Sequence, residues 1–304
     1  MPRIDSLGNS ANDIKRDVFG QLDSRKRQFI KTMHENLPEK LTAHVKQACD
    51  KGASAWLNAI PLITEQNLDL NKQEFRDALC LRYNEPLQNL PTHCPCGEKF
   101  DEIHAMNCKK GGFVVSRHDN IRDLLTTCLS KVCKDVEVEP HLLPVTTESF
   151  DMLSANTSDE ARLDVKARGF WRKGETAFFD VRVTHVNSKS SRNHETSIIF
   201  RRHEEAKKRE YLQRILNVEH ASFTPLVFGT NGWVGDECKR FLSQLARKIA
   251  DVNGDRYETV ITWLRMRISM ELIRASLLCL RGSRVPFRTY STDDVALENI
   301  LSGV

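Results

Sequence analysis

The sequence predicts an α/β fold with mixed strand pairing, preceded by a helical N-terminal region and a small cysteine-rich knuckle. Two observations carry this prediction. Apolar residues recur at helical spacing between residues 120 and 133, and the spacing then changes to the alternation of β-strands. From residue 120 the predicted order is helix, three strands, helix, strand and further helices. This order is typical of a sheet that is flanked by helices.

The segment before the knuckle, residues 1–92, is predicted to be a helical lead-in region. Its clearest signal is Asn71, which is followed three residues later by Glu74 as in a capping box. The helix that this pair opens, Phe75 to Leu81, should end before Pro86, because proline disfavours helical backbone in the residue that precedes it.

Alternating apolar residues mark three strands after the helix of residues 120–133. They are Val136 and Val138 in the first strand, Leu163 and Val165 in the second, and the run Ala177 to Val183 in the third. The polar segment 146–159 is predicted to be a loop. Phe170 and Trp171, at the turn before the third strand, fit either a cap on the core or a surface that stacks on a nucleic-acid base.

The rest of the chain completes the predicted core. A charged helix at 200–216 is followed by a buried strand, Phe223 to Phe228, and by helices near 235–251 and 256–280. The charged helix is predicted to be a solvated surface, with phosphate contact as the alternative. The predicted domains are the lead-in at 1–92, a zinc knuckle at 93–110, the α/β core at 111–283 and a tail at 284–304.

Composition is typical of an ordinary globular protein, with 28% charged and 40% hydrophobic residues. Because 45 basic residues nearly balance 41 acidic ones, the net charge of +4 is only a mild indication of a polyanionic partner. No stretch approaches the roughly 20 apolar residues that span a bilayer, and the first residues lack the apolar core of a secretory signal. We therefore expect no membrane partner and an intracellular, nuclear location.

The nine cysteines are unevenly distributed, a pattern that favours a metal site and buried thiols over a disulfide framework. Cys94, Cys96 and Cys108 cluster, and three residues separate His104 from Cys108, so that both can reach one ion from a single helical turn. Thiolate and imidazole are the ligands that zinc prefers in a closed tetrahedral site. We therefore predict that these four side chains bind a structural zinc ion, with His93 as an alternative ligand. The competing interpretation is three buried cysteines beside an incidental histidine.

Two acidic residues, Asp164 and Asp180, lie within the second and third predicted strands. Adjacent antiparallel strands would bring both carboxylates to the same end of the sheet, where burial of two acids is costly unless a cation compensates them. Oxygen ligands suit magnesium, and such an ion activates water and stabilises charge on a phosphodiester. We therefore predict that Asp164 and Asp180 are ligands of a catalytic magnesium or manganese ion.

Basic residues nearby could assist this chemistry. Arg182 lies two residues after Asp180, on the same face of its strand, and could hold the scissile phosphate. Because arginine stays protonated, Lys207 or Lys208 on the charged helix is the better candidate for activating water. Tyr211, one turn further on, could donate a hydrogen bond to a phosphate.

The alternative for the two aspartates is a set of structural ion pairs. The candidate partners are the neighbouring bases Arg162, Lys166, Arg168 and Arg182. The matched position of both acids in strands favours the metal interpretation. His118 and Asp119 could also stand near the site, although Asp119 as a helix cap explains their position equally well.

The order of these features resembles the C-terminal end of site-specific non-LTR retrotransposon proteins. A Cys-Cys-His-Cys knuckle is followed by Arg117-His118-Asp119 at the opening of a helix and then by two spaced aspartates. Those proteins carry a restriction-endonuclease-like domain of the PD-(D/E)XK superfamily. The resemblance covers roughly residues 53–235, and it implies a core of helix, three strands, helix and strand.

By this resemblance Asp164 and Asp180 take the places of the family's two metal-binding aspartates. Lys207 or Lys208 would match its later lysine, and Tyr211 its nearby tyrosine. The family's endonuclease nicks target DNA so that reverse transcription can be primed from the free end. The resemblance therefore implies DNA as the substrate, RNA as a further nucleic-acid partner and a reverse transcriptase as a protein partner.

Three departures from the family pattern stand out. Leu163 replaces the proline that usually precedes the first aspartate, the two aspartates are separated by fifteen residues, and Arg182 stands where the superfamily often has lysine. The acidic residue that many members carry on the first helix is Asp119 or Asp123. The chain carries no reverse-transcriptase signature, so we expect a separated piece of such an element or a host gene derived from one.

The function predicted from sequence is a metal-dependent DNA endonuclease of retroelement origin. The alternative is a catalytically degenerate nucleic-acid-binding module with a structural zinc site, which Arg182 at the lysine position favours.

Overall fold

A four-stranded mixed sheet forms the centre of the fold. The computed structural model describes residues 11–49, 52–59, 68–188 and 195–284. The strands are β1 (Lys134–Val138), β2 (Val165–Arg168), β3 (Thr176–Thr184) and β4 (Ser222–Gly229). They lie in that order across the sheet; β1–β2 and β2–β3 are antiparallel, and β3–β4 is parallel. The predicted α/β class with mixed strand pairing is confirmed, whereas the predicted tail beyond residue 284 lies outside the described residues.

Helices precede the sheet and cover both of its faces. They are α1 (Ala11–Asn36), α2 (Glu39–Ala48), α3 (Lys72–Tyr83), α4 (Glu102–Asn107), α5 (Phe113–Ser130), α6 (Thr196–Asn217), α7 (Asp236–Asn253) and α8 (Tyr257–Arg281), with a short 3-10 helix at Ala55–Asn58. None of the described helices is both long and apolar enough to cross a bilayer.

Strand β3 is buried on both faces, which explains its nearly continuous apolar run. Ala177, Phe179 and Val181 pack into the core formed with α5, α7 and α8, whereas Phe178 packs against Tyr211 on α6. Because successive side chains of a strand point to opposite faces, Asp180 shares the α6 side with Phe178. The fold thus directs this carboxylate towards the charged helix.

The predicted elements are present with shifted boundaries, and two of the shifts affect residues of the candidate site. The Asn71–Glu74 capping box is formed as predicted. Helix α5 starts at Phe113, behind Gly112, whose left-handed backbone (φ 73°) suits glycine. The Arg117-His118-Asp119 motif therefore lies inside α5, and the prediction that it opens a helix capped by Asp119 is wrong.

Strand β2 starts at Val165, two residues after the predicted start at Leu163, so that Asp164 immediately precedes it. The strand starts late because the Asp164 side chain replaces a backbone carbonyl as the hydrogen-bond acceptor. Asp164 Oδ2 accepts the hydrogen bond of the Val181 amide at 2.5 Å, where continued pairing would place a carbonyl of the neighbouring strand. The strand ladder ends here, and the carboxylate is fixed at its edge.

The turn between β2 and β3 belongs to the core. Phe170 is fully buried and its ring stacks on Phe241, with centroids 4.8 Å apart. Trp171 donates from its indole nitrogen to Thr224 Oγ1 at 3.1 Å. The first of the two interpretations for this pair, a cap on the core, is therefore confirmed.

Helix α8 connects the N-terminal region to the rest of the molecule. The Trp56 amide donates to Ser269 Oγ at 3.3 Å, and buried Asp77 on α3 accepts two hydrogen bonds from Arg281 at 2.7 and 2.9 Å. The described part of the lead-in region is thus attached to the α/β core through α8, and Gln47 adds hydrogen bonds with Asn187 and Trp233.

A buried histidine makes stability depend on pH. His185 follows β3 directly, its Nδ1 lies 3.0 Å from Thr230 Oγ1, and burial, aided by the charge of Arg117, lowers its pKa to about 4. Because an unfolded histidine has a pKa of about 6.5, the unfolded chain takes up this proton first. The stabilisation from His185 is therefore complete above about pH 6.5 and is lost as the pH falls towards 4.

We expect this single group to lower the free energy of unfolding by about 2 kcal/mol between pH 7.5 and pH 5. Urea denaturation of the wild type and of His185→Gln at both pH values measures it. The wild type should lose about 2 kcal/mol more than the variant on acidification. Equal losses in the two proteins would contradict the assignment.

Candidate functional site

The four predicted zinc ligands converge. The ligand atoms of Cys94, Cys96, His104 and Cys108 all lie within 4.8 Å of one another. Cys108 Sγ is 3.8 Å from Cys94 Sγ and 3.9 Å from Cys96 Sγ, and His104 Nε2 is 3.4 Å from Cys96 Sγ. Zinc–sulfur bonds of about 2.3 Å in a tetrahedron separate two sulfurs by roughly 3.8 Å. The cluster is therefore compatible with zinc binding.

Local backbone geometry explains this convergence. Gly97, with φ 95°, allows a tight turn in which its amide donates to the Cys94 carbonyl at 2.8 Å. Asp101 caps α4 by accepting from the His104 amide at 2.7 Å, and the short helix then presents His104 and Cys108 one turn apart. The alternative ligand His93 is exposed and contacts Thr92 instead, at 3.2 Å.

The electrostatics of the cluster differ between its cysteines. The backbone amide of Glu98 donates to the Cys96 sulfur and lowers the pKa of that thiol, whereas burial raises the pKa of Cys94. Zinc binds thiolates and must displace these protons. With three sulfurs, one imidazole and no open position among them, the set fits a structural zinc site better than a catalytic one.

The knuckle packs against the core rather than standing apart. Met106 and Cys108 share an apolar cluster with Cys279 and Leu280 at the end of α8. Arg117, which is 2% exposed, donates to the Met106 carbonyl at 3.2 Å. This contact attaches α4, which carries the predicted zinc ligand His104, to α5.

The two predicted carboxylates lie at the same end of the sheet. The register pairs Val165 with Phe179, so that Asp164 and Asp180 are the next residues along two antiparallel neighbours. They are close enough for the charge of Asp164 to raise the pKa of Asp180. Both acids thus lie at one end of the sheet, where Asp164 contacts His118 on α5 and Asp180 contacts Lys207 on α6.

Asp180 is a buried acid with a lysine partner. It is 5% exposed, and Lys207 Nζ on α6 lies 3.2 Å from its Oδ1 and 3.1 Å from its Oδ2. Burial raises the pKa of Asp180 to about 6, against the opposing effect of Lys207. Only the contact with Oδ1 has hydrogen-bond geometry, so Oδ2 has no hydrogen-bond partner within the described ranges.

Asp164 is held by two donors on one oxygen. Its Oδ2 accepts from the Val181 amide at 2.5 Å and lies 3.2 Å from His118 Nε2. Its Oδ1 makes no hydrogen bond to any residue that the structure describes. Each aspartate therefore keeps one oxygen without a hydrogen bond: Oδ1 in Asp164, and Oδ2 in Asp180, whose only polar contact in the described part of the chain is the ion pair with Lys207. Carboxylate oxygens without hydrogen bonds are the type of donor that a hard divalent cation takes.

Of the two candidate lysines, only Lys207 reaches the aspartates. Lys208 points towards the start of α7, where it pairs with Glu237. Tyr211 lies beside Lys207, whose Nζ is 5.3 Å from the ring centroid, and its hydroxyl accepts from Asn156 Nδ2 at 3.3 Å. The site thus combines Asp164, Asp180, Lys207 and Tyr211.

Arg182 is half-buried on the α6 side of β3, beside His203. Its charge, together with burial as the larger cause, lowers the pKa of His203 to about 4. It is therefore a cation near the site that pairs with neither aspartate.

The bases that could have neutralised the aspartates pair with other acids. Lys166 pairs with Glu137, Arg168 with Asp135 and Arg162 with Glu139, all along the β1 edge of the sheet. The structural ion pairs considered as an alternative are therefore formed elsewhere. This leaves Lys207 as the basic partner of Asp180.

Of the two alternatives for His118 and Asp119, the structure places His118 at the site, against Asp164. His118 Nε2 lies 3.0 Å from the Val181 carbonyl as well as close to Asp164, and its Nδ1 lies 3.2 Å from Asp119 Oδ1. Of the two candidate acids on this helix, Asp119 thus reaches the site through His118, whereas Asp123 pairs with Arg122. The predicted helix began at Asn120 and did not include His118. Helix periodicity would have placed His118 on the side that faces the sheet only if the helix start at Phe113 had been known.

Comparison with known proteins assigns no family. No protein-family model matches this sequence, and no curated protein matches it significantly. A functional assignment therefore depends on the residues of the two sites and on their geometry.

Proposed function

We propose that this chain is a metal-dependent DNA endonuclease with a restriction-endonuclease-like core and a structural zinc knuckle. The observation that carries the proposal is the buried carboxylate of Asp180, which lies beside Asp164 and against Lys207 at one end of the sheet. Burying an acid without full hydrogen bonding costs stability. Acids whose pKa is shifted by burial and by a nearby charge are concentrated at functional sites.

Each residue has a role in this proposal. Asp164 and Asp180 would hold a magnesium or manganese ion through the oxygens that make no hydrogen bond, with Lys207 giving up its contact with Asp180 Oδ2 to the ion. When bound, such an ion supplies an activated water and stabilises the charge that develops on the phosphodiester. Lys207 orients that water or donates to a phosphate oxygen, and Tyr211 supports Lys207 across its ring face.

The surface of α6 supports a polyanionic substrate. Three arginines on this helix are exposed, namely Arg201, Arg202 and Arg209. They lie on the element that carries Lys207, and such side chains bind nucleic acid through its phosphates. Together with the order of motifs in the sequence, this supports DNA as the substrate. A retroelement origin, RNA and reverse-transcriptase partners and a nuclear location belong to the same proposal.

The matched neighbours Lys207 and Lys208 provide the test. Supercoiled plasmid is incubated with the zinc-loaded chain and with magnesium, manganese or a chelator, and the open-circular product is measured. We expect nicking only with a divalent ion, a loss of at least about 100-fold in Lys207→Met, and near wild-type activity in Lys208→Met. No nicking by the wild type in either metal, or equal losses in the two variants, would contradict the proposal.

A second candidate function is nucleic-acid binding without catalysis. The observation that favours it is Arg182, a cation that cannot activate water, on the site's side of β3. In this case a gel-shift assay would show salt-dependent binding of DNA with no cleavage in any divalent metal. In this case Lys207→Met should bind DNA as well as the wild type does, and neither protein should nick it.

A further inference from the structure

We propose that His118 is a positioning residue of the cation site, which holds the Asp164 carboxylate so that its second oxygen stays free for the cation. This inference rests on the proposed function, because the cation site is part of that proposal. His118 itself is not one of the direct ligands. It lies on α5, on the opposite side of the sheet from the helix that carries Lys207.

The contacts of His118 define this role. Its Nε2 lies 3.2 Å from Asp164 Oδ2 and 3.0 Å from the Val181 carbonyl. The Val181 amide donates to the same carboxylate oxygen. Two donors therefore fix Oδ2, and rotation of the carboxylate would break both hydrogen bonds. Oδ1 stays unused as a consequence.

The partners of the ring are all acceptors. On one side they are a carboxylate and a backbone carbonyl, and on the other side Nδ1 lies 3.2 Å from Asp119 Oδ1. A ring nitrogen that contacts only acceptors is placed to donate, so Nε2 faces Asp164 as a donor, and the protonated ring also donates from Nδ1 to Asp119. An amide side chain could replace the donation to Asp164, and an aliphatic side chain could not.

The far end of the network is anchored as well. Asp119 Oδ1 lies 3.0 Å from Arg122 Nη1, and Arg122 also pairs with Asp123 and with Glu139 next to β1. The ring is thus fixed from both sides, with 30% of its side chain exposed. Residues that orient a ligand side chain in this way typically change metal affinity about 10- to 100-fold when they are lost.

The experiment measures binding of Mn²⁺ alone to the full-length, zinc-loaded chain by isothermal titration calorimetry. We expect His118→Leu to weaken binding about tenfold and His118→Gln, which can still donate to Asp164, to stay within about threefold of the wild type. Asp119→Asn, which leaves the Asp164 contacts in place, should have an intermediate effect. His220→Asn, at an exposed histidine outside the site, is the control and should bind as the wild type does.

Each outcome decides between the two proposals. A wild type that binds no Mn²⁺ would overturn both the proposed function and the role of His118. A wild type that binds Mn²⁺ while His118→Leu binds equally well or more tightly would overturn only the positioning role. Equal weakening in the leucine and glutamine variants would also overturn it, since donation would then not be the cause. Thermal unfolding of each variant identifies a misfolded protein, and Asp119→Asn then tests the network without altering the ring.

Discussion

Asp180→Asn is expected to abolish nicking while leaving the fold at least as stable as the wild type. The reason is that the ionised carboxylate destabilises the folded state. Its folded pKa of about 6 lies above the unfolded value of about 3.9, so stability is lost as the pH rises from about 4 through 6. The cost at pH 7.5 is about 3 kcal/mol. Asparagine removes this cost, and it removes a ligand.

Activity and stability should therefore move in opposite directions. We expect nicking to fall by at least about 100-fold, while the midpoint of thermal unfolding stays unchanged or rises. In the variant the charge of Lys207 is still compensated by Glu210, whose carboxylate lies 3.8 Å from the lysine Nζ. Plasmid nicking and thermal unfolding at pH 7.5 measure the two effects.

A second buried aspartate provides the matched control. Asp77 is 1% exposed and pairs with Arg281 far along the chain from the site. Removing one partner of a buried pair leaves the other charge uncompensated, so Asp77→Asn should lose about 2 kcal/mol of stability and keep its nicking rate per folded molecule. If Asp180→Asn behaves as Asp77→Asn does, the Asp180–Lys207 pair is structural and the catalytic assignment is wrong.

Loss of the zinc site is expected to have the largest effect on stability. We expect one zinc ion per chain and its loss in Cys108→Ala or His104→Gln. Cys94, Cys108 and Met106 form part of one apolar cluster with the end of α8, so removal of the ion should lower the free energy of unfolding by several kcal/mol. Zinc content by mass spectrometry and urea denaturation with and without a chelator measure both effects.

Two variants test whether the loss is specific. His93→Gln, at the alternative ligand, and Cys133→Ser, at a half-buried cysteine outside the cluster, should both retain one zinc ion. If His93→Gln loses zinc while His104→Gln retains it, the histidine ligand is His93 and not His104. Full zinc content in Cys108→Ala would exclude this cluster as the site.

Short-range patterns predicted much of the structure. The spacing of Cys94, Cys96, His104 and Cys108 was sufficient for the knuckle, because one turn and one short helix determine how four nearby side chains meet. The capping box at Asn71 was equally local. The strands were predictable from alternation, and with them the approach of Asp164 to Asp180, since a short turn between two strands makes them antiparallel neighbours.

The remaining features depend on contacts between distant segments. Sequence could not distinguish Lys207 from Lys208, because adjacent residues on a helix point about 100° apart and the orientation of α6 is set by packing. The start of α5 was placed too late, since Gly112 is a weak signal for a helix start. That error hid the side of the helix on which His118 lies. The place of Asn156 beside Tyr211 depends on a loop with no periodicity.

Consecutive residues of α5 contact the predicted zinc knuckle and the proposed cation site. Arg117 donates to the Met106 carbonyl on α4, and His118 lies against the carboxylate of Asp164. A fragment that began after the knuckle would therefore expose a buried guanidinium and release the helix that sets the carboxylate. If the proposed function holds, the smallest fragment that cuts DNA would therefore include the Cys94–Cys108 segment, although none of its predicted zinc ligands belongs to the proposed cation site.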